Sequence, residues 1–494
     1  MMKVGFDHEK YTRMQSEHIL ERIDKFGGKL YLELGGKLFD DYHASRVLPG
    51  FQPDSKVQML LKLKDQEEIL IVLNSDDIEK SKVRGDLGIT YDADTLRLID
   101  AFRGIGLTVG SVVLTRYAGQ PAAVSFEQHL NSLGIRTYRH YTIEGYPSDI
   151  DHIVSDDGFG RNDYVETEKP LILVTAPGPG SGKMATCLSQ LYQENRRGIK
   201  AGYAKFETFP IWNLPLKHPV NLAYEAATAD LNDVNMIDPF HLEAYGKTAV
   251  NYNRDVEIFP VMNALFDDIY GSSPYKSPTD MGVNMVGYCI SDDDVCREAS
   301  LQEIIRRYYT ALCHFADGKA TEAEVNKLAL LMKKAGITTA YRKTTVAARE
   351  RLENSGGNFA AAAIELEDGT ILTAETSPLL GPSAALLLNA LKHLAGIAHN
   401  VKLIPQTMIA PIQKTKVQYL HGHNPRLHTD EVLVLISMMS LLDENCKMAI
   451  DQLPKLAGAQ VHSTVMLSEV DSKTFQKLGI GLTCDPVHKK DGLE

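Results

Sequence analysis

The sequence predicts an α/β protein whose larger part is a doubly wound, mostly parallel sheet. Three observations support this prediction. Short apolar runs alternate with helical patterns from about residue 29 to 175, which is typical of parallel strands joined by crossover helices. Several of the helical patterns end on glycine, a common helix terminator. The last apolar run leads into a glycine-rich turn, which is followed by a lysine and a further helical pattern.

Five apolar runs are the predicted strands, and they are KLYLEL at 29–34, ILIVL at 69–73, LTVGSVVLT at 107–115, IRTYRHY at 135–141 and LILVTA at 171–176. Between them, DADTLRLIDAFRGIG and AAVSFEQHLNSLGI are predicted helices. A third predicted helix, MATCLSQLYQENRRG, ends in a basic last turn with a glycine stop. After it, AGYAKFETFP supplies a sixth predicted strand.

The order of these patterns predicts three domains. Residues 1–298 form an α/β nucleotide-binding-like domain with a polar insertion of low periodicity at about 213–298. Residues 299–355 have apolar positions at helical spacing, with TEAE at 321–324 as a capping box, and form a small helical domain. Residues 356–494 form a C-terminal α/β domain, which opens with a strand, an Asp-Gly turn, a second strand and a buried helix.

Composition and charge narrow the class of protein. Hydrophobic residues make up 44% and charged residues 23% of the 494 residues, as in ordinary globular chains. A net charge of −12 disfavours a general nucleic-acid binder, which needs a basic surface. No stretch approaches the ~20 apolar residues of a membrane span, and the N-terminal segment lacks the apolar core of a signal peptide. We therefore expect a cytoplasmic protein with six reduced cysteines and with no membrane or nucleic-acid partner.

The segment TAPGPGSGKMATC at 175–187 is similar to a phosphate-binding loop. Aligning the pattern G-x-x-x-x-G-K-[ST] on Gly182 and Lys183 puts Pro177 at the first glycine and Met184 at the magnesium-binding hydroxyl, which Ser181 or Thr186 could replace. Glycines free the backbone amides, and the lysine supplies a charge for phosphates. The predicted ligand contacts are Gly178, Gly180, Ser181, Gly182, Lys183 and Thr186. A glycine-rich turn without a ligand is the alternative interpretation.

Polar residues beyond the loop are candidate catalytic groups. Lys205 and Glu207 lie near the carboxyl end of the sixth predicted strand, where α/β sheets bind ligands. The segment DLNDVNMIDPFH at 230–241 brings together Asp230, Asp233, Asp238 and His241. Such carboxylates could hold a metal or accept a substrate proton, although acids are also common on surface loops. The predicted catalytic residues are Lys183, Lys205, Asp238 and His241.

Three other segments have a less specific pattern. GGKLFDDYHASR follows the first strand. It either faces the ligand crevice at the carboxyl ends of the strands or forms a turn and a polar loop. Its polar and glycine residues are Gly35, Gly36, Lys37, Asp40, Asp41, His43 and Arg46. HGHNPRLH contains His421, His423 and His428. His-x-His binds a metal when both side chains share one face of a strand, but Asn-Pro within this segment indicates a turn, and hence a structural role. NYNRD at 251–255 is polar and aromatic without a recognisable chemical pattern, and it either lines a pocket or belongs to a subunit interface.

The segment from the loop to GYAK at 202–205 resembles the dethiobiotin synthetase type of phosphate-loop ligase. The shared features are a variant loop, a helix, and a strand with Gly-Tyr and a nearby lysine. The resemblance implies ATP use on a small carboxylate or amine, and it leaves the substrate open.

Nearly the whole chain resembles an uncharacterised bacterial protein family known as domain of unknown function 1846. The segments that carry the resemblance are GKLFDDYHASRVLPGF, TAPGPGSGKMATCLSQLYQE, AKFETFPIWNLPLKHPVNLAYEAATADLND and GHNPRLHTDEV. The family implies a C-terminal domain similar in topology to the cytidine-deaminase fold. Active deaminases bind zinc through H-x-E and P-C-x-x-C segments. Here Glu375 has no adjacent ligand histidine and no CxxC follows, so we expect the fold without zinc.

Three functional hypotheses follow. The first is an enzyme that binds ATP with Mg²⁺, or another phosphate ligand, and acts as a kinase or ATP-dependent ligase on a small-molecule substrate. The second is a non-catalytic protein that senses a nucleotide or anion and assembles into a homo-oligomer through its helical and C-terminal domains. The third is a metal-dependent hydrolase centred on the histidines. The order of strand, glycine-rich loop, lysine and helix favours the first.

Overall fold

The computed structural model describes residues 3–35, 42–84, 87–231 and 234–488, which fall into two compact units. The first unit contains Val4–Tyr224 and Asp233–Arg297. The second unit contains Glu225–Asn232 and Glu298–Glu494, together with Met1–Lys3. The predicted helical segment and the predicted C-terminal segment therefore both lie in the second unit.

A parallel sheet is the centre of the first unit. The strands of this unit are β1 (Leu30–Leu34), β2 (Glu67–Asn74), β3 (Val83–Arg84), β4 (Ile89–Thr90), β5 (Val109–Thr115), β6 (Arg136–Arg139), β7 (Leu171–Thr175), β8 (Gly202–Phe206), β9 (Asn235–Ile237), β10 (Val250–Tyr252) and β11 (Gly282–Val283). Seven of them form one sheet in the order β11-β8-β1-β7-β2-β5-β6, with every neighbouring pair parallel. Two antiparallel pairs, β3 with β4 and β9 with β10, stand apart. The prediction of an α/β fold with a large parallel sheet is confirmed.

Helices cover both faces of this sheet. The helices that begin in the first unit are α1 (His8–Lys25), α2 (Tyr42–Val47), α3 (Ser55–Lys62), α4 (Ser75–Glu79), α5 (Tyr91–Gly104), α6 (Pro121–Ser132), α7 (Ile150–Ile153), α8 (Lys183–Arg196), α9 (Pro219–Ala227), α10 (Pro239–Tyr245), α11 (Asn253–Tyr270), α12 (Pro278–Met281) and α13 (Asp293–Ala316). Apolar residues of α1, α3, α5 and α6 form a core on one face, and those of α7, α8 and α11 form a core on the other.

The strands alternate between these two cores. In β2, Ile69 and Ile71 belong to one core, whereas Leu70 and Val72 belong to the other. Parallel strands that are buried on both faces are nearly continuous apolar runs in the sequence. This burial is the reason why the sequence pattern identified the strands.

The segment of low periodicity at 213–298 contributes to the sheet and to one of its cores. Its β11 pairs with β8 at the edge of the sheet. Its longest helix, α11, buries Phe259, Met262 and Phe266. Pro260 lies inside this helix, where proline is rarely accommodated because it lacks the amide hydrogen. The sequence alone therefore did not indicate α11.

A four-stranded mixed sheet is the centre of the second unit. Its strands are β12 (Ala361–Glu365), β13 (Ile371–Glu375), β14 (Gln460–Ser463) and β15 (Gly481–Cys484), in the order β13-β12-β14-β15. β12 is antiparallel to β13 and β14, whereas β14 and β15 are parallel. The further helices are α14 (Glu322–Lys334), α15 (Lys343–Asn354), α16 (Pro382–Leu394), α17 (Gln406–Lys414), α18 (Thr429–Met439), α19 (Glu444–Ile450) and α20 (Glu469–Lys477). The Thr321 side chain accepts a hydrogen bond from the Glu324 amide at 3.3 Å, so the predicted cap of α14 is present.

The remaining helical segments are single turns, and they are Phe159–Arg161, Ala229–Leu231, Val286–Tyr288, Thr339–Tyr341, Thr415–Tyr419 and Leu453–Leu456. No helix in the described ranges is both long and apolar enough to cross a membrane. All six cysteines are free thiols.

Candidate functional site

The glycine-rich loop lies where the connections of the parallel sheet diverge. The loop follows β7, whose connection through α8 leads to β8 on one side of the sheet. β2 is the neighbour of β7, and its connection leads to β5 on the other side. In open α/β sheets a crevice forms at the carboxyl ends of two such strands, and ligands usually bind there. The loop therefore borders the crevice between β7 and β2.

Side chains at the ends of β2 and β5 donate hydrogen bonds to two carbonyl groups of this loop. The side-chain amide of Asn74, at the end of β2, donates to the carbonyl of Gly180 at 3.4 Å. The hydroxyl of Thr115, at the end of β5, donates to the carbonyl of Ser181 at 2.6 Å. Both strand ends thus fix the loop over the carboxyl edge of the sheet.

Two glycines of the loop are needed for its shape. Gly182 caps α8 with a φ of +93°, a left-handed conformation that favours glycine. Gly178 lies against the ring of Tyr91, and a Cβ at this position would overlap the phenol group. The loop is therefore a tight turn that ends on the N-terminus of a 14-residue helix.

The start of α8 carries hydrogen-bond donors that have no partner among the described residues. The amides at positions 180 to 183 donate to no backbone carbonyl of the described residues, as expected at a helix N-terminus. Within the same part of the chain, the buried hydroxyls of Ser181 and Thr186 have no hydrogen-bond partner. The half-buried Lys183 forms no ion pair with a described residue. Because buried polar groups are nearly always paired, this arrangement fits an anion that accepts these hydrogen bonds.

Met184 occupies the position of the magnesium-binding hydroxyl in the usual loop. Its side chain packs against the core between the sheet and α8. A thioether is a poor ligand for Mg²⁺, which prefers oxygen. The hydroxyl oxygens of Ser181 and Thr186 are the alternative ligands within the loop and the first turn of α8.

A charged cluster lies at the carboxyl end of β8. Lys205 Nζ lies 2.5 Å from Asp255 Oδ2 and 3.0 Å from Glu207 Oε1. Lys205 also donates to the hydroxyl of Tyr252, which in turn donates to Glu207 at 3.1 Å. We call these four residues the Lys205 cluster. It is separated from the strand that carries the loop by β1 alone.

Burial and charge together set the protonation of the Lys205 cluster. Burial disfavours the charged ammonium of Lys205, but the carboxylates of Asp255 and Glu207 outweigh this effect and hold its pKa well above the usual value. Burial raises the pKa of Glu207 to about 7, with Lys205 opposing the rise and Asp255 adding to it. A carboxyl group of this pKa can accept or donate a proton at neutral pH. The cluster thus combines a fixed cation with a titrating acid.

Glu33 on β1 lies between the loop strand and the Lys205 cluster. Its Cα pairs with β7 on one side and with Lys205 of β8 on the other. Its carboxylate accepts a hydrogen bond from the hydroxyl of Tyr203 at 2.8 Å. Burial raises the pKa of Cys187 in α8, and the charge of Glu33 adds to this rise while Lys183 opposes it. The charge of Glu33 therefore acts on the helix that follows the loop and on the cluster.

Asp238 and His241 have structural partners. Asp238 Oδ1 accepts the His241 amide at 3.0 Å as the cap of α10, and its Oδ2 accepts the Thr279 hydroxyl at 2.6 Å. The ring of His241 lies 3.1 Å from the hydroxyl of Ser277. A cavity of about 10 Å³, enough for about one water, is lined by Thr279 and Glu207 among others. The Asp238 contacts therefore lie beside the Lys205 cluster.

The other predicted residues are dispersed. Gly36, Lys37, Asp40, Asp41 and Asp233 lie outside the described residues. The ring of His43 in α2 lies 5.2 Å from that of Phe209, measured between centroids. Asp230 is exposed in a single helical turn of the second unit.

The histidine segment lies in a loop of the second unit. His421 and His423 are exposed and do not lie in a strand. His428 precedes α18, and its Nδ1 lies 3.0 Å from Asp471 Oδ2. The Glu431 carboxylate accepts the His428 amide at 2.8 Å. Across the described ranges, no three His, Cys, Asp or Glu side chains are placed to hold one metal ion.

Three residues of this region received no chemical role from the sequence. Tyr252 and Asp255 belong to NYNRD, in which no chemical pattern was recognised. Glu33 belongs to the first strand. A lone carboxylate within a buried apolar strand could have indicated a functional residue, because acidic residues are rarely buried without a partner.

Comparisons with known proteins give full-length matches. Residues 4–336 match the family described as domain of unknown function DUF1846, N-terminal, and residues 340–493 match its C-terminal counterpart. The chain is 56% identical over 493 residues to the "UPF0371 protein" of Streptococcus sanguinis strain SK36, which covers 100% of this chain and 99% of the relative. It is 55% identical, with the same coverage, to proteins of that name from Streptococcus pneumoniae strains JJA and CGSP14.

Proposed function

This chain belongs to the family described as domain of unknown function DUF1846, as its sequence resemblance predicted, and we propose that it is an enzyme that binds ATP or another phosphate-bearing ligand. The phosphates lie on the amides at 180 to 183 and on the ammonium of Lys183. The hydroxyls of Ser181 and Thr186 complete the set of donors. In this proposal the variant loop is a phosphate loop, and the ligand occupies the crevice between β7 and β2.

The observation that carries this proposal is the group of unpaired donors at the start of α8. Two buried hydroxyls at the same place, those of Ser181 and Thr186, have no partner among the described residues and add two further donors to these amides. A phosphate group offers several acceptor oxygens and a negative charge, which the positive end of a helix stabilises. The donors and the charge of Lys183 therefore match one chemical class of ligand.

The proposed reaction is phosphoryl transfer or ATP-dependent ligation on a small molecule. Lys205 supplies a second positive charge at the same edge of the sheet. Glu207, with its pKa of about 7, acts as the general base that accepts the proton of the attacking group. Asp238 and His241 are positioning residues, because their contacts fix α10 and Thr279 beside Glu207. Such an enzyme agrees with the cytoplasmic location expected from the sequence.

A nucleotide or anion sensor without turnover is the second candidate. The position of Met184 favours it, since Mg²⁺ would need an oxygen ligand from elsewhere in the site. Incubation of the full chain with ATP, Mg²⁺ and a metabolite library distinguishes the two candidates. We expect formation of ADP or AMP with at least one metabolite, whereas binding without turnover would select the sensor.

Substitution of Lys183 tests the proposed phosphate site. Lys183→Ala is expected to weaken ATP binding roughly 10- to 100-fold in calorimetric titration, because a hydrogen bond to a charged group is removed. The matched control is Lys200→Ala, which removes an exposed lysine at the opposite, amino end of β8 and should leave the affinity unchanged. Absence of binding of ATP, GTP and tripolyphosphate to the wild-type chain would refute the proposal.

For the second unit we propose a topology similar to the cytidine-deaminase fold, without zinc chemistry. The antiparallel pair of β12 and β13 followed by α16 supports the topology. Glu375, the residue nearest to a deaminase motif, lies 3.2 Å from Arg351 in an ion pair. This contact favours a structural role for its carboxylate.

We also propose that the chain forms a homo-oligomer through the second unit. Apolar side chains on α18 and the turn after it are largely exposed, and they are Val434, Met438, Leu441 and Leu442. Contiguous exposed apolar residues mark interaction sites. Sedimentation analysis of the full chain should show a dimer or a larger assembly, and Leu441→Glu should shift it towards the monomer. A wild-type monomer at all concentrations would contradict the assignment.

A further inference from the structure

A second opening lies on the same edge of the parallel sheet as the glycine-rich loop. It is a cleft of about 580 Å³ lined by Tyr117, Ala118, Gly119, Tyr141, Thr142 and Arg161. Tyr117 follows the end of β5 by two residues, and Tyr141 follows the end of β6 by two residues. The volume lies within the range of small-molecule sites. None of the groups in the proposed phosphate site lines this cleft.

Two aromatic rings and the guanidinium of Arg161 line the cleft, and a second guanidinium, that of Arg139, lies on one of the rings. The rings of Tyr117 and Tyr141 are nearly perpendicular, with centroids 6.3 Å apart. The guanidinium of Arg161 lies 4.7 Å from the centroid of Tyr141, and that of Arg139 lies 4.7 Å from the centroid of Tyr117. Aromatic rings and guanidinium planes are the surfaces on which nucleobases stack.

Hydrogen bonds fix these walls in place. Arg139 donates to both carboxylate oxygens of Glu127 at 2.9 Å, and the Tyr117 hydroxyl donates to the same carboxylate at 3.3 Å. The amide of Tyr141 donates to the side chain of Asn162 at 2.8 Å. The ring of Tyr117 and the backbone of Tyr141 are thus held by the fold, which lowers the entropic cost of binding a planar group.

One short segment connects the cleft to the phosphate loop. Thr115 contacts the loop carbonyl of Ser181, and Tyr117 lies two residues further on. Arg116 between them has a φ of +50°, which is uncommon for a residue other than glycine and occurs often at functional sites. It is held by an ion pair with Asp76 at 3.3 Å. Since β7 and β5 are two strand spacings apart, the loop and the cleft are separated by about 10 Å.

We propose that this cleft binds the nucleobase of a nucleotide whose phosphates lie on the glycine-rich loop. The inference rests on the proposed phosphate site and narrows its ligand to a nucleotide. The base stacks on the guanidinium of Arg161 and contacts the two tyrosine rings. The ribose spans Arg116 between the cleft and the loop.

Titration of the full chain with ATP and with tripolyphosphate tests this assignment. Wild-type protein is expected to bind ATP more tightly than tripolyphosphate. Tyr141→Ala and Arg161→Ala should each weaken ATP binding roughly 10- to 100-fold and leave tripolyphosphate binding unchanged. Tyr141→Phe keeps the ring and should bind ATP like the wild type, while thermal melting confirms that each variant is folded. Arg161 is exposed, so its variant is a test that does not depend on core packing.

The outcomes separate the cleft from the loop. Equal affinity of the wild type for ATP and tripolyphosphate, or equal losses for both ligands in the folded Arg161→Ala variant, would overturn the nucleobase site and leave the phosphate site standing. Failure of the wild type to bind either ATP or tripolyphosphate would overturn the phosphate site, and the nucleotide assignment with it.

Discussion

Replacing Lys205 by methionine is expected to lower the free energy of unfolding of the first unit by about 3–5 kcal/mol at neutral pH. The ammonium of Lys205 is the partner of Asp255 and Glu207. Methionine keeps the length of the side chain but removes the charge, so that two carboxylates remain buried next to each other. Loss of one partner of a buried ion pair is costly because the other charge has been removed from water.

The single tryptophan provides a local signal for this measurement. Trp212 belongs to the first unit and lines the same small cavity as Glu207. Its fluorescence during urea denaturation therefore reports unfolding next to the Lys205 cluster. Lys200→Met, which changes an exposed lysine, should alter the stability by no more than about 0.5 kcal/mol. A loss below about 1 kcal/mol in Lys205→Met would mean that the carboxylates do not depend on the lysine charge.

Replacing Glu207 by glutamine is expected to change how stability depends on pH. The pKa of Glu207 is raised to about 7 in the folded protein, chiefly by burial. Its contribution to stability is therefore fully present below the unfolded pKa near 4.5 and is lost as the pH rises through 7. A pKa shift of one unit corresponds to about 1.4 kcal/mol, so the contribution of Glu207 to the free energy of unfolding amounts to about 3 kcal/mol. The fall in stability from pH 4.5 to pH 8 should be smaller by that amount in Glu207→Gln.

A second buried carboxyl provides a matched control for this measurement. Burial also raises the pKa of Glu67 to about 7, with the Thr108 amide opposing the rise and the Glu68 carboxylate adding to it. Glu67 is the first residue of β2, at the amino edge of the sheet. Glu67→Gln should therefore change the pH dependence of stability in the same direction, but only Glu207→Gln should change the pH dependence of ATP binding. Unchanged stability profiles in both variants would show that neither carboxyl titrates near neutrality.

The strands and helices around the site could be predicted because each has a local pattern. LILVT is a buried apolar run. Gly182 caps the helix that begins at Lys183, and this helix ends in a basic last turn that is followed by glycine. The sequence therefore located the loop between β7 and α8. It also placed Lys205 and Glu207 at the end of β8, because a strand must follow the crossover helix.

The partners of these residues could not be predicted. Asp255 lies 50 positions beyond Lys205, and Tyr203 lies 170 positions beyond Glu33. No periodicity links residues at such separations, since their contacts depend on strand order. Asp238 was predicted to be catalytic, and its hydrogen bonds with His241 and Thr279 could not be predicted.

By itself the sequence determined the class of the fold, the positions of the main strands along the chain and the place of the glycine-rich loop, because burial on both faces of a sheet imposes apolar runs and helix ends require particular residues. The tertiary structure decided which charges meet. Glu33 and Asp255 contact their partners because β1 lies between β7 and β8 and because α11 continues through Pro260. Strand order and helix packing are properties of the whole core, and the electrostatics of the site follow from them.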